Sequence, residues 1–346
     1  MRRVVTDGWR LALAGSFGLC GLLATSAPAI AGAHATTITL YNGQHVQTTA
    51  ALVRAFTRRT GIKVSVRSED EGALVNEIEA EGSRSPADVV FTENSPALES
   101  LQNHGLLAHL PAAVRSASPG RFGSERGDWV GVTARVSVMV YNPALIRAGQ
   151  LPRSVLALGT ARYRHKLALA PGETDFQPII TAVAARDGTA KALAWLEGMK
   201  ANAAGHLYPD NETVTNDVNR GLVALGVINQ YYWYRLRAQI GARNMHSKIA
   251  TFAPSDPGYV LDVSGAGVLA ASRHRRAAER FVAFLLSRAG QRVIDRSDSF
   301  EYPLAKGVPA PAGEAPLASL RPDPISLAKL GDGRRAVQLL EQAGLL

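Results

Sequence analysis

The stretch from residue 37 to residue 94 sets the fold class. "TITLY" (37–41) alternates apolar and polar residues like a strand and runs into "NGQH" (42–45). "TTAALVRAFTRRTG" (48–61) then carries Leu52, Val53 and Phe56 at helical spacing and is closed by Gly61. "IKVSVRS" (62–68) is a second strand, "EGALVNEIEAEGSRS" a second helix with its exit loop, and "PADVVFTEN" (86–94) a third strand with a polar end. Strand, helix, strand, helix, strand in such short succession predicts an α/β fold with a mainly parallel sheet.

The rest of the chain repeats the style, and 346 residues with 46% hydrophobic content predict two domains rather than one. "WVGVTARVSVMVYNP" (129–143) is a long β-branched strand, and "KLALAPGETDF" (166–176) a strand followed by a loop. "TAKALAWLEGMKANAAG" (189–205) and "AAERFVAFLLSRAGQRVI" (277–294) each have an apolar helical face. "GLVALGVINQYYWYRLRAQIG" (221–241) reads as a buried strand passing into a helix, and "GYVLDVSGAGVLAAS" (258–272) as a strand. A short helix from Ser326 and a final one over "RRAVQLLEQAG" close the chain; "GVPAPAGEAP" (307–316) reads as a crossing segment.

Residues 1–35 belong elsewhere. Arg2, Arg3 and Arg10 precede an apolar stretch from Leu11 to about Ile30, and Ala33-His34-Ala35 supplies small residues for a signal peptidase. A cleavable signal peptide is expected, with export and no membrane insertion after cleavage. The only cysteine, Cys20, falls inside this leader, so no thiolate metal site or cysteine nucleophile is expected in the mature protein. Without Arg2, Arg3, Arg10 and Asp7 the balance is 35 basic to 28 acidic residues, scattered rather than clustered. Basic residues interleaved with aromatics, the mark of a nucleic-acid groove, are absent, and no nucleic-acid partner is expected. No Gly-x-Ser-x-Gly elbow, phosphate loop or His-Glu-x-x-His appears, so the chain reads as a binding protein and not an enzyme.

In open parallel sheets ligands collect beyond the carboxyl ends of strands. Four polar clusters fall there: His45 after "TITLY", Glu93 and Asn94 after "DVVF", "PGETD" after "KLALA", and Tyr231-Tyr232 after "LGVIN". Phenolate and carboxylate oxygens are hard, and tyrosinate is an unusual ligand for zinc or copper. Deprotonating a phenol of pKa about 10 takes a strong local charge, which a trivalent ion supplies. Two phenolates and one carboxylate match Fe(III) in charge. At a helix start Tyr231 and Tyr232 diverge by about 100°, and the helix N-terminus favours anionic oxygen. Arg135, in "TARVSV", sits where the chain first crosses between lobes. It is expected either to hold Glu93 or an anion by a charge-assisted bond or to stiffen the hinge.

Seven segments carry a resemblance: "YNGQH" (41–45), "RRTGIKV" (58–64), "SPADVVFTEN" (85–94), "VINQYYWYR" (227–235), "DPG" (256–258), "SGAGVL" (264–269) and "EYPL" (301–304). Through them the chain, from Ile38 to Leu346, resembles the bacterial ferric-ion-binding periplasmic proteins of iron ABC transporters. The resemblance implies a two-lobed, type-II-like periplasmic binding protein, each lobe a mainly parallel sheet flanked by helices, with the ligand cleft between lobes. It implies Fe(III) as cargo, His45, Glu93, Tyr231 and Tyr232 at the iron-ligand positions, and an inner-membrane ABC permease as partner. Asn94, Asn211 and Asn229 lie where such proteins hold a synergistic anion, phosphate or carbonate.

The expected lobes are 36–135 with 261–312 and 136–260 with 313–346, in a periplasmic monomer. One departure stands out. Phosphate-using members have Ser-Gly-Ala where this chain reads Glu173-Thr174-Asp175. Either a carboxylate here replaces the anion as an iron ligand, or the anion differs, carbonate being the smaller candidate. The second reading of the whole chain is a receptor of the same fold for a phosphonate or other small anion.

Overall fold

The structure, a computed structural model, describes residues 36–346. The signal peptide expected over residues 1–35 lies outside the described residues. The strands are β1 (Thr37–Asn42), β2 (Lys63–Ser68), β3 (Val89–Thr92), β4 (Trp129–Tyr141), β5 (Leu167–Ala168), β6 (Leu225–Asn229), β7 (Lys248–Ala250), β8 (Leu261–Val268) and β9 (Tyr302–Pro303). The helices are α1 (Val46–Thr60), α2 (Glu71–Glu81), α3 (Ser95–Asn103), α4 (Ala112–Arg115), α5 (Gln177–Asp187), α6 (Thr189–Asn202), α7 (Asn211–Arg220) and α8 (Gln230–Ile240). They continue with α9 (Arg275–Leu286), α10 (Arg288–Asp295), α11 (Leu327–Leu330) and α12 (Arg334–Gln342).

The strands lie in the order β2-β1-β3-β8-β4-β6-β5, with β7 and β9 also on β4. The mainly parallel sheet read from the sequence is present where strand and helix alternate: β1 runs parallel to β2 and β3, and β5 to β6. The strands that join these two groups, β4 and β8, run antiparallel to their neighbours. Antiparallel neighbours, unlike parallel ones, need no helical crossover between them.

β4 is the backbone of the arrangement. All thirteen residues are buried, and every second position from Val130 to Val140 is valine except Ala134, which suits a strand covered on both faces. Trp129 to Val136 pair with β8, and Ser137 to Tyr141 pair with β6. Arg135 sits one residue from the end of the first pairing, the one charged side chain in the strand. Two cores flank this seam. One gathers Ile38, Leu52, Phe56, Phe91, Phe281 and Phe284 under α1 and α9. There Phe56 meets Phe281 edge-on at 5.0 Å, a contact worth about 0.5–1.5 kcal/mol beyond its buried area. The other core runs through β4, β6, α5, α6 and α12.

Residues 277–294, expected as one helix, form two. The chain turns extended at Ser287, whose hydroxyl accepts from the Gly290 amide and caps α10. A Cβ at residue 290 would stand 2.2 Å from the Phe284 carbonyl, so the tight corner needs the glycine. α3, α5 and α7 were not read from the sequence. Each is short, and α7 buries polar Asn211, Thr215 and Asn219, which blurs its periodicity.

Candidate metal centre

Each expected residue is placed by the end of a strand. After β1 the chain turns at Gly43, where a Cβ would meet the Glu71 Cβ at 2.7 Å, and His45 starts α1. Gln44 orients this turn: its Oε1 accepts from the His45 amide and its Nε2 donates to Glu301 at 3.1 Å. After β3, the amides of Glu93 and Asn94 both donate to Glu71 Oε2 at 3.0 Å, and Asn94 Nδ2 reaches Glu71 Oε1 and Thr174 Oγ1. Burial, then the Glu93 charge, pushes the Glu71 carboxyl up to about 7. Glu71 is thus the peg on which the Glu93 loop hangs.

At the head of α8, Tyr231 and Tyr232 lie side by side, ring centroids 4.2 Å apart and tilted by 33°. The one proton of the Tyr231 hydroxyl is shared between two carboxylate oxygens, Glu93 Oε1 at 2.7 Å and Asp175 Oδ2 at 3.1 Å from Oη. His45 Nε2 lies 3.0 Å from the same Glu93 oxygen, with its ring edge-on to Tyr231. Asp175 comes from the short turn Thr174–Phe176 and is approached by Asn211 Nδ2 at 3.5 Å. His45, Glu93, Tyr231, Tyr232, Asn94, Thr174, Asp175 and Asn211 therefore meet. Asn229 is buried at the cap position of α8 without a side-chain capping bond. Glu173, on the neighbouring turn, is only partly buried. Tyr234 stays out of the cluster: it packs edge-on against Trp233 and donates to the Gly313 carbonyl.

Arg135 is completely buried and binds carboxylates on three segments: Glu301 at 2.6 Å, Asp175 at 3.4 Å and Glu93 at 3.5 Å. Nη1 also donates to Asn94 Oδ1 at 3.2 Å. Of the roles expected for it, contact with Glu93 is present, at the longest of the three carboxylate distances. Replacing Arg135 with methionine leaves Glu301 and Asp175 as uncompensated buried charges and should cost about 3–5 kcal/mol in urea unfolding at neutral pH. Adding Glu301→Gln should restore part of that loss. A change below about 1 kcal/mol would mean the network carries no stability.

The electrostatics separate the groups. Burial, then the charges of Asp175 and Glu93, pushes both phenols well above the ordinary tyrosine value. Burial also pushes Glu93 up, but His45, Arg135 and the Tyr231 hydrogen bond outweigh it and hold the carboxyl well below the usual range. Asp175 is raised by burial and by Glu93, against Arg135. Burial, followed by Asp175, Glu93 and Glu212, raises Glu173 to about 8, so its carboxyl is largely neutral at pH 7. The repulsion expected between carboxylates at 173 and 175 is thus softened, because burial and neighbouring charge raise both groups, with Arg135 opposing the rise at Asp175. Protonated phenols beside ionised carboxylates form a site whose protons a hard, highly charged cation would displace.

Sequence reading missed Glu301, Glu71 and Arg235. One ligand atom each from His45, Glu93 and Glu301 falls within 4.8 Å of the others, the one such group of three among the described residues. Glu301 stands in the "EYPL" segment, next to β9, but nothing local says that it faces β4. Arg235 was legible, since it lies four residues after Tyr231 on one helix and so shares its face.

The family described as bacterial extracellular solute-binding protein matches residues 40–297. This chain belongs to it. The solute-binding protein is 37% identical over 335 residues to the Fe(3+)-binding periplasmic protein of Serratia marcescens, covering 96% of this chain and 98% of that one. It is 36% identical to the major ferric iron-binding protein of Neisseria meningitidis serogroup A, covering 94% and 97%. Among solved structures, iron-bound HitA from Pseudomonas aeruginosa superposes with a TM-score of 0.85 at 39% identity, covering 89% of this chain and 99% of that one. The resemblance read from "NGQH" and "INQYYWY" holds at the level of whole chains. No helix among the described residues is long and apolar enough to cross a membrane.

Proposed function

We propose that this solute-binding protein captures Fe(III) in the cluster at the head of α8 and delivers it to an inner-membrane ABC permease. Glu93, Tyr231 and Tyr232 supply three anionic oxygens and Asp175 a fourth. The observation that carries the reading is the Tyr231 hydroxyl, buried between Glu93 at 2.7 Å and Asp175 at 3.1 Å with a second phenol stacked beside it. Four hard oxygens on two strand-end loops and one helix start suit a trivalent ion and leave a softer divalent metal poorly served. The named relatives and iron-bound HitA support the same cargo.

The lobes that close on the ion are 36–135 with 261–312 and 136–260 with 313–346, hinged on β4 and β8. Glu93 and His45 come from the first, Tyr231, Tyr232 and Asp175 from the second, so binding and closure are one event. The chain works as a periplasmic monomer after removal of the leader, with affinity and closure in place of catalysis. Phosphonate or another anion is disfavoured as cargo because the buried guanidinium of Arg135 is already held by three carboxylates, Glu93, Asp175 and Glu301.

Adding ferric citrate to the purified protein should produce a visible phenolate-to-iron charge-transfer band that saturates at one ion per chain. A protein that stays colourless and binds a phosphonate by calorimetry overturns the reading.

A further inference from the structure

The sheet around β1 and β3 is covered by two helix layers of opposite charge. Alternation along the strands separates its faces: Tyr41 and Val90 join one core with Leu74 of α2 and Leu98 of α3. Leu40 and Phe91 join the other, with Phe56 of α1, Phe281 of α9 and Ile294 of α10. On the first side the stretch Glu69 to Glu81 holds six carboxylates and no basic residue. On the second, α1, α9 and α10 hold eight arginines, no lysine and two carboxylates. Of those two, Glu279 is tied to Arg275 at 2.9 Å and Asp295 is half-buried.

The arginines stand four residues apart on each helix: Arg54 and Arg58, Arg276 and Arg280, Arg288 and Arg292. Each pair shares one helix face, and all six are exposed, opposite the residues that their helices bury. α10 packs on both α1 and α9, and Thr48 Oγ1 near the start of α1 meets Ser297 Oγ beyond the end of α10 at 3.2 Å. The three rows thus make one outward surface. Among the described residues the six form no ion pair, in contrast to Arg275. Their charge works against the fold: like charges four residues apart repel, and Arg276 and Arg288 stand in first turns without an acidic residue, against the helix dipole. An external anion would offset that cost. A guanidinium fork matches phosphate oxygens two at a time, and the rows spread over a layer instead of converging on a point. We propose that the outward face of α1, α9 and α10 docks on an anionic phospholipid surface, with the acidic α2 side turned away. The docking needs no metal. It goes beyond iron capture by holding the carrier on the membrane that bears its permease.

The test is co-sedimentation of the exported protein, purified after removal of its leader, with lipid vesicles. Vesicles of phosphatidylglycerol and phosphatidylcholine in equal parts should carry it down at low salt, and added salt should weaken the binding. Phosphatidylcholine alone should not carry it down. Equal binding to both vesicles, or binding to neither, overturns the proposal. Arg54→Gln with Arg58→Gln, or Arg288→Gln with Arg292→Gln, should each weaken binding about thirtyfold, at about fivefold per arginine. Taking the same charge from exposed positions elsewhere, Arg162→Gln with Arg164→Gln, should weaken it less than about threefold. Equal losses would mean that net charge alone acts, and no face. Inorganic polyphosphate that binds as tightly as the vesicles, phosphate for phosphate, would make the partner a soluble polyanion and also overturn it. Both arginine-pair variants should melt no lower than the native protein, because repulsion is relieved. A lower Tm would make the rows structural, against the proposal. A protein that binds the anionic vesicles but takes up no iron fails the iron reading alone.

Discussion

Replacing Tyr231 and Tyr232 together by phenylalanine should give a folded protein that neither holds iron nor takes on colour. The rings account for most of what these residues contribute to packing: they lie 4.2 Å apart, and the Tyr231 ring also receives the edge of His45 and the guanidinium of Arg235. Phenylalanine keeps all of that. Losing the Tyr231 hydroxyl removes the one donor that Glu93 and Asp175 share, but Arg135 remains 3.5 and 3.4 Å from them. The expected stability cost is about 1–3 kcal/mol. The effect on iron is of another order, since two of four anionic oxygens disappear and each metal–oxygen contact is worth several kcal/mol. Affinity should fall by roughly a thousandfold or more, a loss of at least about 4 kcal/mol. Single changes should be unequal. Tyr231 is fully buried and touches both carboxylates, whereas Tyr232 is 6% exposed, so Tyr231→Phe should be the more damaging. Iron titrations followed by the charge-transfer band give all three values, and an affinity unchanged in the double variant refutes the assignment.

How much of this site was readable in the chain depends on what each residue answers to. His45, Glu93, Asp175 and Tyr231 stand within a few residues of a strand end, and strand ends follow from local alternation and turn residues. Their convergence follows from topology, because ligands meet at the carboxyl ends of strands in such sheets. Glu301 and Glu71 answer to tertiary structure alone. Glu301 meets Arg135 across 166 residues, and Glu71 holds the Glu93 loop across 22. No periodicity records such pairings. The break at Ser287 was lost for a different reason: apolar residues crowd 277–286 and return at Val293 and Ile294, so the run reads as one helix with a corner that only the serine cap and Gly290 betray. The strands β4 and β8 were legible as strands, but their antiparallel direction was not, because alternation of strands and helices does not encode it.

Iron binding by the native protein should also depend little on phosphate or carbonate. Asp175 lies between Asn211, Tyr231 and Arg135, and we propose that it stands in for a synergistic anion. A ferric ion with two phenolates and Glu93 is neutral. Asp175 adds one negative charge, and the buried guanidinium of Arg135 is already paired with Glu301 at 2.6 Å. Nothing remains to balance a phosphate dianion. At about 5 Å and an effective dielectric near 20, each of its charges would meet Asp175 at a cost of about 3 kcal/mol. Glu173 softens the conflict, because a carboxyl raised to about 8 is largely protonated at pH 7 and repels little. The decisive residue of the departure "ETD" is therefore Asp175, with Glu173 behind it. In phosphate-free, carbonate-depleted buffer the native protein should bind ferric iron fully, and added phosphate should change its affinity by less than about threefold, within about 0.7 kcal/mol. Glu173→Ser combined with Asp175→Ala opens the oxygen position and uncovers Arg135 and Asn211. That variant should bind more weakly without anion and recover at least about tenfold on adding phosphate, about 1.4 kcal/mol of anion-dependent affinity. A native protein that needs phosphate, with a variant behaving identically, would show that Asp175 neither ligates iron nor stands in for the anion, and that its bond to Tyr231 serves the fold alone.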